Sequence, residues 1–581
     1  MSLPSGIPLW DTGHFNALSA HRGSKKCLQT IARRTKQAGN VSDEPITRSP
    51  SFTSDQSTVR EVINKIEDAI EGIYRPRGYN TSDLNIATLV YQLGSCQLLF
   101  ALNHKLSISS LRTLQTRSAF TTITPTIGPI CDQNFDDNIR ALILNTRVGM
   151  TSLRGVSLMV DEMAIEEMAV HYSQYNKIGG LCWKHTNLVD PVLCTYDSAV
   201  RIAQKIYDGD VHLGKEVKVL GAACFGEDEL YPILVVPTCK TEDATDMEGI
   251  LTRTIQCWSA SGADDAVGPV WSVATDCDAI RRAAGHKLFL KNPLSSKSPL
   301  YGILSNMPGL NTFTGNGEIT LDFDTKHIIK RYCMLICSPA GITLNNGRII
   351  NTMMLSCYLV WLPAYDEASV TKLLHPDDLQ DVPRAVELML AIIEFSKSQQ
   401  SIVLDPFSTD VDTHADIISI TVLSSILESI ILPFTNVNLS LTEQVQYLSR
   451  LAHLTFTLFH SHRRSFLSYQ LYYDTHTMVK NIVLCIMKQQ ILDPRASFFL
   501  GDTGDDRLEL HFSRTRMIGG HNAACTFSQV IDRLGAAKDI DGVFKQHPNL
   551  DPGHHRLSLG TQLEHVDHIN RDMWTGDIIS G

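Results

Sequence analysis

No two cysteines in this chain stand in a CxxC arrangement, although fourteen are spread along its 581 residues. That absence argues against a zinc finger or a disulfide framework and fits a reducing compartment. The N-terminal stretch MSLPSGIPLWDTGHFNALS lacks the charged-then-apolar order of a signal peptide, so secretion is not expected. An excess of positive charge is missing too. Formal net charge is −11 at pH 7, so no global field draws in nucleic acid, and any such contact has to come from local patches. The most apolar window, ADIISITVLSSILESIILPF (415–434), carries Glu428 and several serines; it reads as a buried helix, not a membrane span. What is there is an intracellular, soluble composition, 43% hydrophobic and 19% charged. The length allows several domains, since single cores stop growing at roughly 250–300 residues.

Residues 1–56 are rich in Ser, Thr, Gly and Pro and read as disordered. Their one basic cluster, HRGSKKCLQTIARRTKQ (21–37), could touch phosphate, act as a nuclear import signal, or simply be solvated. Helical patterning starts at STVREVINKIEDAIEGIY, where Thr58 and Glu61 form a capping-box pair. Two further helical patterns follow, around 82–104 and 106–119, suggesting a small bundle over 57–150. From about 152 the period changes, and VSLMVDEM, GGLCWKH, EVKVLGAACFG and LYPILVVPTCK read as four strands. A helix at 246–262, the strand PVWSVATD and the helix AIRRAAGHKLFL come next. Strands in succession, a crossover helix and a further strand describe an α/β sheet with mixed pairing. From about 325 to 500 the pattern is helical, and one more helix, DDRLELHFSRTRM, stops at Gly519–Gly520. The tail from 541 looks loosely structured, and there is no internal repeat.

The stretch SLRGVSLMVDEMAIEEM (152–168) ends an apolar run on Asp161 and Glu162. An ionised carboxylate is costly out of water unless it is paired. Asp161 therefore either faces solvent at a strand end or serves as a metal ligand or acid–base group. VWSVATDCD repeats the pattern with Asp276, and a later helix presents Glu509 between Leu508 and Leu510. Three converging carboxylates can hold a pair of Mg²⁺ ions and so serve an in-line phosphoryl displacement. An Asp after a strand is equally a turn or cap residue, and Glu509 is equally an exposed helix position. Glu162, next along the strand, should point to the opposite face and stay out of such a site. Asp278 rivals Asp276 as the second acid.

Four blocks, SLMVDEM, WSVATDCDAIRR, DFDTKHIIKR and DRLELHFSRTRMIGGHNAA, resemble in order the blocks of P-element-type transposases, including the THAP-type transposase-derived proteins. They cover about 150–350 and 500–530, and the fungal-looking composition of the remainder suggests a diverged branch. The resemblance implies an α/β plus α fold. Its parts would be an N-terminal helical segment and a ribonuclease H-like mixed sheet core, the core interrupted by a large helical insertion before its last catalytic helix. The corresponding domains are a helical part at 57–150, core at 151–345, insertion at 346–500, final core helices at 501–540 and a tail at 541–581.

Matched block by block, Asp161, Asp276 and Glu509 become the metal-binding catalytic triad, with Mg²⁺ or Mn²⁺ as cofactor. Asp324 and His327 fall in a further family block whose role is left open, and Thr325 stands there in place of the family's proline. Lys330 and Arg331 beside them are phosphate-contact candidates. Arg516 lies two helical turns after Glu509 on the same face; it is a phosphate contact or a solvated helix arginine. The implied activity is that of a DNA transposase or derived nuclease. It would carry out two-metal phosphodiester hydrolysis and strand transfer on transposon ends and target DNA, as a homo-oligomer, in the nucleus or cytoplasm and away from membranes.

The chain also departs from that family. The zinc finger of the THAP-type proteins has no counterpart in residues 1–60, where Cys27 is the only cysteine. GTP, bound by an insertion domain in P-element transposases, is a weaker expectation. No GxxxxGK[ST] is present, and GAACFGED carries acids where the lysine should be. His554, His555, His565 and His568 lack cysteine partners and read as surface histidines. The missing finger and acidic charge also suit a catalytically silent, domesticated protein that binds DNA or a protein partner.

Overall fold

A computed structural model describes residues 78–551 apart from 107, 148–151, 345–346, 377, 379–380, 406, 408 and 519–523. The segment 1–56, the capped helix at Thr58, the Gly519–Gly520 stop and the tail histidines lie outside the described residues.

Five strands build the main sheet: β1 (Val156–Ala164), β2 (Glu216–Cys224), β3 (Leu230–Thr238), β4 (Val270–Thr275) and β5 (Thr320–Phe323). Their spatial order is β3-β2-β1-β4-β5. β1, β2 and β3 pair antiparallel in succession, whereas β4 runs parallel to β1 and β5 parallel to β4. β3 and β4 are buried at every position. Their apolar residues therefore run on without alternation, as strands covered on both faces do. β3 also holds Pro232 and Pro237, tolerated because it is the sheet's edge strand.

Helices accompany this sheet along the described residues, among them α1 (Thr81–Leu106), α2 (Asp132–Ile139), α3 (Ala244–Ala260), α4 (Ala279–Phe289), α5 (Thr325–Ile336), α6 (Val382–Ser398), α7 (Val411–Thr435), α8 (Leu441–His462), α9 (Tyr469–Leu492), α10 (Asp506–Met517) and α11 (Phe527–Gln546). Parallel neighbours need a crossover, and α4 supplies the one between β4 and β5. α7 is long and apolar enough to cross a membrane, but Ile417, Ile420, Leu423, Ile426, Leu427, Ile430 and Ile431 are buried in the protein core, as a core helix requires.

Several expectations are corrected. GGLCWKH is no regular strand: it comprises the end of a short strand at Lys177–Gly179, an isolated bridge from Leu181 to Leu213, and a lead into a 3₁₀ turn at Thr186–Leu188. Gly180 has φ +83°, a conformation that ends extended pairing. β5 went unforeseen because TLDF is four residues long, too short to carry a period. GAACFGED is β2 and the turn after it, with Gly221 inside the strand, so it forms no phosphate-cradling loop. The chain beyond 541 is not loose at first: α11 runs on to Gln546, held by buried Val543 and Phe544. α1 docks on α11 through Asn85 Nδ2 to Gln546 Oε1 (2.8 Å) and Gln92 Nε2 to Asp539 Oδ2 (3.1 Å).

The helical stretch is fastened to the sheet by α9. Asn481 accepts a hydrogen bond from the β5 residue Thr320 (2.6 Å), and Lys488 Nζ donates to the Trp271 and Glu318 carbonyls (3.0 and 2.7 Å). Asp474, fully buried, takes a two-pronged ion pair from Arg282 of α4 (2.7 and 2.9 Å) and a second from Arg331 of α5. Removing one member of a buried ion network strands the others without partners. Asp474→Ala is therefore expected to lose about 3 kcal/mol of stability, read as a fall in the urea midpoint. An unchanged midpoint contradicts this role.

Candidate acidic site

β1, β4 and β5 are mutually parallel, so their C-terminal ends share one edge of the sheet, the edge where open α/β folds place ligands. Asp161 lies late on β1, Asp276 directly follows β4, and Asp324 directly follows β5. Asp324 also caps α5. Its Oδ2 accepts from the His327 backbone N–H (2.8 Å) and lies 3.0 Å from His327 Nδ1. His327 Nε2 in turn lies 4.0 Å from Glu509 Oε1 on α10, so one imidazole spans a strand-end acid and a helix acid.

Arg281 of α4 ties the first two acids together. Its Nη1 is 2.7 Å from Asp276 Oδ1 and 3.5 Å from Asp161 Oδ1, and it also donates to the Val160 carbonyl (3.1 Å). Its Nη2 pairs with Glu162. The opposite-face expectation for Glu162 thus misses its link to this group: a guanidinium is broad enough to meet acids on both sides of a strand. Lys218, Glu162's register partner on β2, is also 3.4 Å from it. Asp278 turns to its own helix instead, its Oδ1 accepting from the Ile280 and Arg281 N–H groups (2.8 and 3.2 Å). Asp276, and not Asp278, faces Asp161.

Two further acids complete the cluster. Asp505, just before α10, is 1% exposed, and neither carboxylate oxygen has a hydrogen-bond partner. Its carboxyl oxygen and those of Asp324 and His327's nitrogen lie within 4.8 Å of one another. Asp322 of β5 is fully buried, with Oδ2 accepting from the Gly504 N–H (2.7 Å) and Oδ1 unpartnered. Gly504 has φ +78°, and a Cβ there would stand 2.9 Å from Asp324 Oδ1. Only glycine lets this turn pass so close.

The electrostatics are those of crowded acids. Burial, then the charges of Asp324, Asp161, Glu509 and Asp276, push the Asp505 carboxyl well above its ordinary value. Burial and Asp161 raise Asp276 to about 6; burial and Asp324 raise Asp322 to about 7. Asp161 and Glu509 also rise, chiefly through burial. Asp324 is the exception: burial pushes it up, but the hydrogen bond and charge of His327 outweigh that and hold it low.

The cationic candidates divide. Lys330 lies near enough for its charge to bear on His327 and Glu509, and exposed Arg516 acts on Asp161. Arg331 is instead engaged by Asp474. Asp505 and Asp322 escaped sequence reading for physical reasons: DTGDDRLE resembles an ordinary acidic helix start, TLDF is too short to carry a period, and burial cannot be read from either.

The donor set fits a hard divalent cation. It offers clustered carboxylates and one imidazole, and it includes a buried carboxylate with no other partner. Bound cation stabilises the folded state by mass action, about 2.7 kcal/mol at a hundredfold excess over Kd. Thermal melts with and without Mn²⁺ are expected to show a gain for the unaltered chain that Asp505→Asn largely loses, with equal gains contradicting the assignment. Gly504→Ala should cost about 1–2 kcal/mol through its left-handed backbone and blunt the same Mn²⁺ gain; a wild-type melt would argue against a tight turn at this position.

No protein-family model matches the chain, and no curated protein matches it. Among solved structures, a chain of the Drosophila P element transposase strand transfer complex matches with a TM-score of 0.50 at 12% identity, covering 84% of this chain and 98% of that one. At that identity the likeness concerns the fold: this mixed α/β chain, with its five-stranded sheet and many helices, has a transposase-like fold.

Proposed function

We propose that this chain is a diverged DNA transposase, or a nuclease derived from one, built on a ribonuclease H-like core. The observation that carries the reading is the buried, unpartnered Asp505 among Asp161, Asp276, Asp324 and Glu509. Such a gathering of acids is costly without a cation to share. The strand order and directions support the ribonuclease H-like core, and the P element likeness supports the transposase assignment. The reaction would be phosphodiester hydrolysis at transposon ends and attack of the freed DNA 3′-hydroxyl on a target phosphodiester, displacing the target's own 3′-oxygen, by a homo-oligomer acting in the nucleus or cytoplasm.

Within that reading Asp161, Asp276 and Glu509 remain the catalytic acids, and Asp324, His327 and Asp505 join them in holding Mg²⁺ or Mn²⁺. The bound ions would supply Lewis-acid polarisation of phosphate oxygens. Asp324 fixes the His327 ring through Nδ1 and leaves Nε2 toward Glu509. Lys330, whose charge bears on His327 and Glu509, and Arg516, whose charge bears on Asp161, would meet the phosphate charge. Arg331 serves in this reading as a strut.

A second reading is favoured by Arg281. Its buried guanidinium already pairs with Asp161 and Asp276, as it would in a catalytically silent protein that keeps the fold to bind DNA or a protein partner. The two readings separate on supercoiled plasmid incubated with the full chain and Mn²⁺. The nuclease reading expects nicking that Asp161→Asn and Asp276→Asn each lower at least ~100-fold, as loss of a transition-state contact does. DNA binding without any Mn²⁺-dependent nicking favours the silent protein.

A further inference from the structure

Away from the acidic cluster, three loops bring two cysteines and two histidines together. Cys182 and His185 follow the Lys177–Gly179 strand, His212 precedes β2, and Cys239 directly follows β3. His185 Nδ1 lies 3.4 Å from Cys182 Sγ and 3.6 Å from Cys239 Sγ; His212 Nδ1 lies 3.3 Å from Cys239 Sγ. The two imidazole rings are 4.1 Å apart, and both cysteines are buried. We propose that Cys182, His185, His212 and Cys239 form a structural zinc site.

Cys182, His185 and Cys239 offer ligand atoms that all lie within 4.8 Å of one another, and the three sulfur–nitrogen distances suit the metal. Zinc–sulfur bonds of about 2.3 Å and zinc–nitrogen bonds of about 2.0 Å, set tetrahedrally, separate sulfur from nitrogen by roughly 3.5 Å. The surrounding groups suit it as well. His212 Nε2 lies 3.1 Å from the Gly209 carbonyl, so its proton sits there and Nδ1 is left with a free lone pair, the usual arrangement behind a ligating histidine. Zinc binding would release two thiol protons, and Zn²⁺ with two thiolates and two neutral imidazoles leaves no net charge to bury.

The loops are already laced for this role. Cys182 N–H donates to the His212 carbonyl (2.8 Å), Trp183 N–H to Pro237 (3.1 Å) and Gly214 N–H to Gly180 (2.8 Å). A small satellite core of Leu181, Ile202 and Val211 sits beside them. Zinc would close this appended lobe onto the end of β3. No CxxC spacing announces the site, because its ligands are gathered from three loops. It stands independently of the nuclease reading.

The test is metal analysis of the full chain purified without chelator. One tightly held zinc per chain is expected. It should be retained in Asp505→Asn, lost in His212→Ala and in Cys239→Ser, and restored in His212→Cys, which keeps four ligands. Cobalt(II) replacing the zinc should give the visible bands of a tetrahedral thiolate site, absent in Cys239→Ser. If His212→Ala fails to fold, the His212→Cys and cobalt results decide. Zinc absent from the unaltered chain, zinc unaffected by Cys239→Ser, or a Cys182–Cys239 disulfide found by mass spectrometry overturns the proposal.

Discussion

Like charges resist being gathered, and this protein gathers Asp161, Asp276, Asp324, Asp505 and Glu509 around one edge of its sheet. In water such repulsion is screened; at a mostly buried sheet edge it is not. The fold answers in two ways. Arg281 lies between Asp161 and Asp276 and reaches Glu162, while His327 lies between Asp324 and Glu509. Asp505 accepts no hydrogen bond, and burial beside the other acids pushes its carboxyl well above the ordinary value, a cost that the proposed cation would relieve. Much of the architecture can be seen as what holds that cluster in place.

Two features carry the load. The parallel placing of β1, β4 and β5 brings three strand-end acids to one edge, and α10 approaches from a distant part of the chain to add Glu509. The turn before α10 can come that close only through Gly504, whose N–H binds Asp322. Behind this edge the α9 helix acts as a tie. Asp474 joins it to α4 and α5, the helices that directly follow β4 and β5, so the long helical stretch is locked to the strands that carry Asp276 and Asp324.

Legibility followed from how local each signal was. Asp161 and Asp276 stood out because an apolar run ending in an acid is visible within one strand. Asp505 did not, since an acidic pair before a helix is the commonest of capping patterns, and its burial is a property of distant neighbours. β5 was too short to show a period. GGLCWKH looked like a strand because its apolar content outweighed a glycine whose left-handed conformation no composition reveals. The cysteines scattered singly pointed away from zinc, yet Cys182 and Cys239 come together with His185 and His212 once β2 and β3 are paired.

The sequence by itself determined the longer elements and their kinds: a strand-rich part from 152, long apolar helices from 325 to 500, and a helix bearing Glu509 after them. It also placed acids at the strand ends, because each of these signals is written within a single periodic segment. Tertiary structure alone decided which acids meet, that Asp278 caps a helix while Asp276 faces Asp161, and that Arg331 is held by Asp474. Charges interact through space over a few ångströms, and residues hundreds of positions apart are brought within that distance only when the sheet is assembled and the helices are packed upon it.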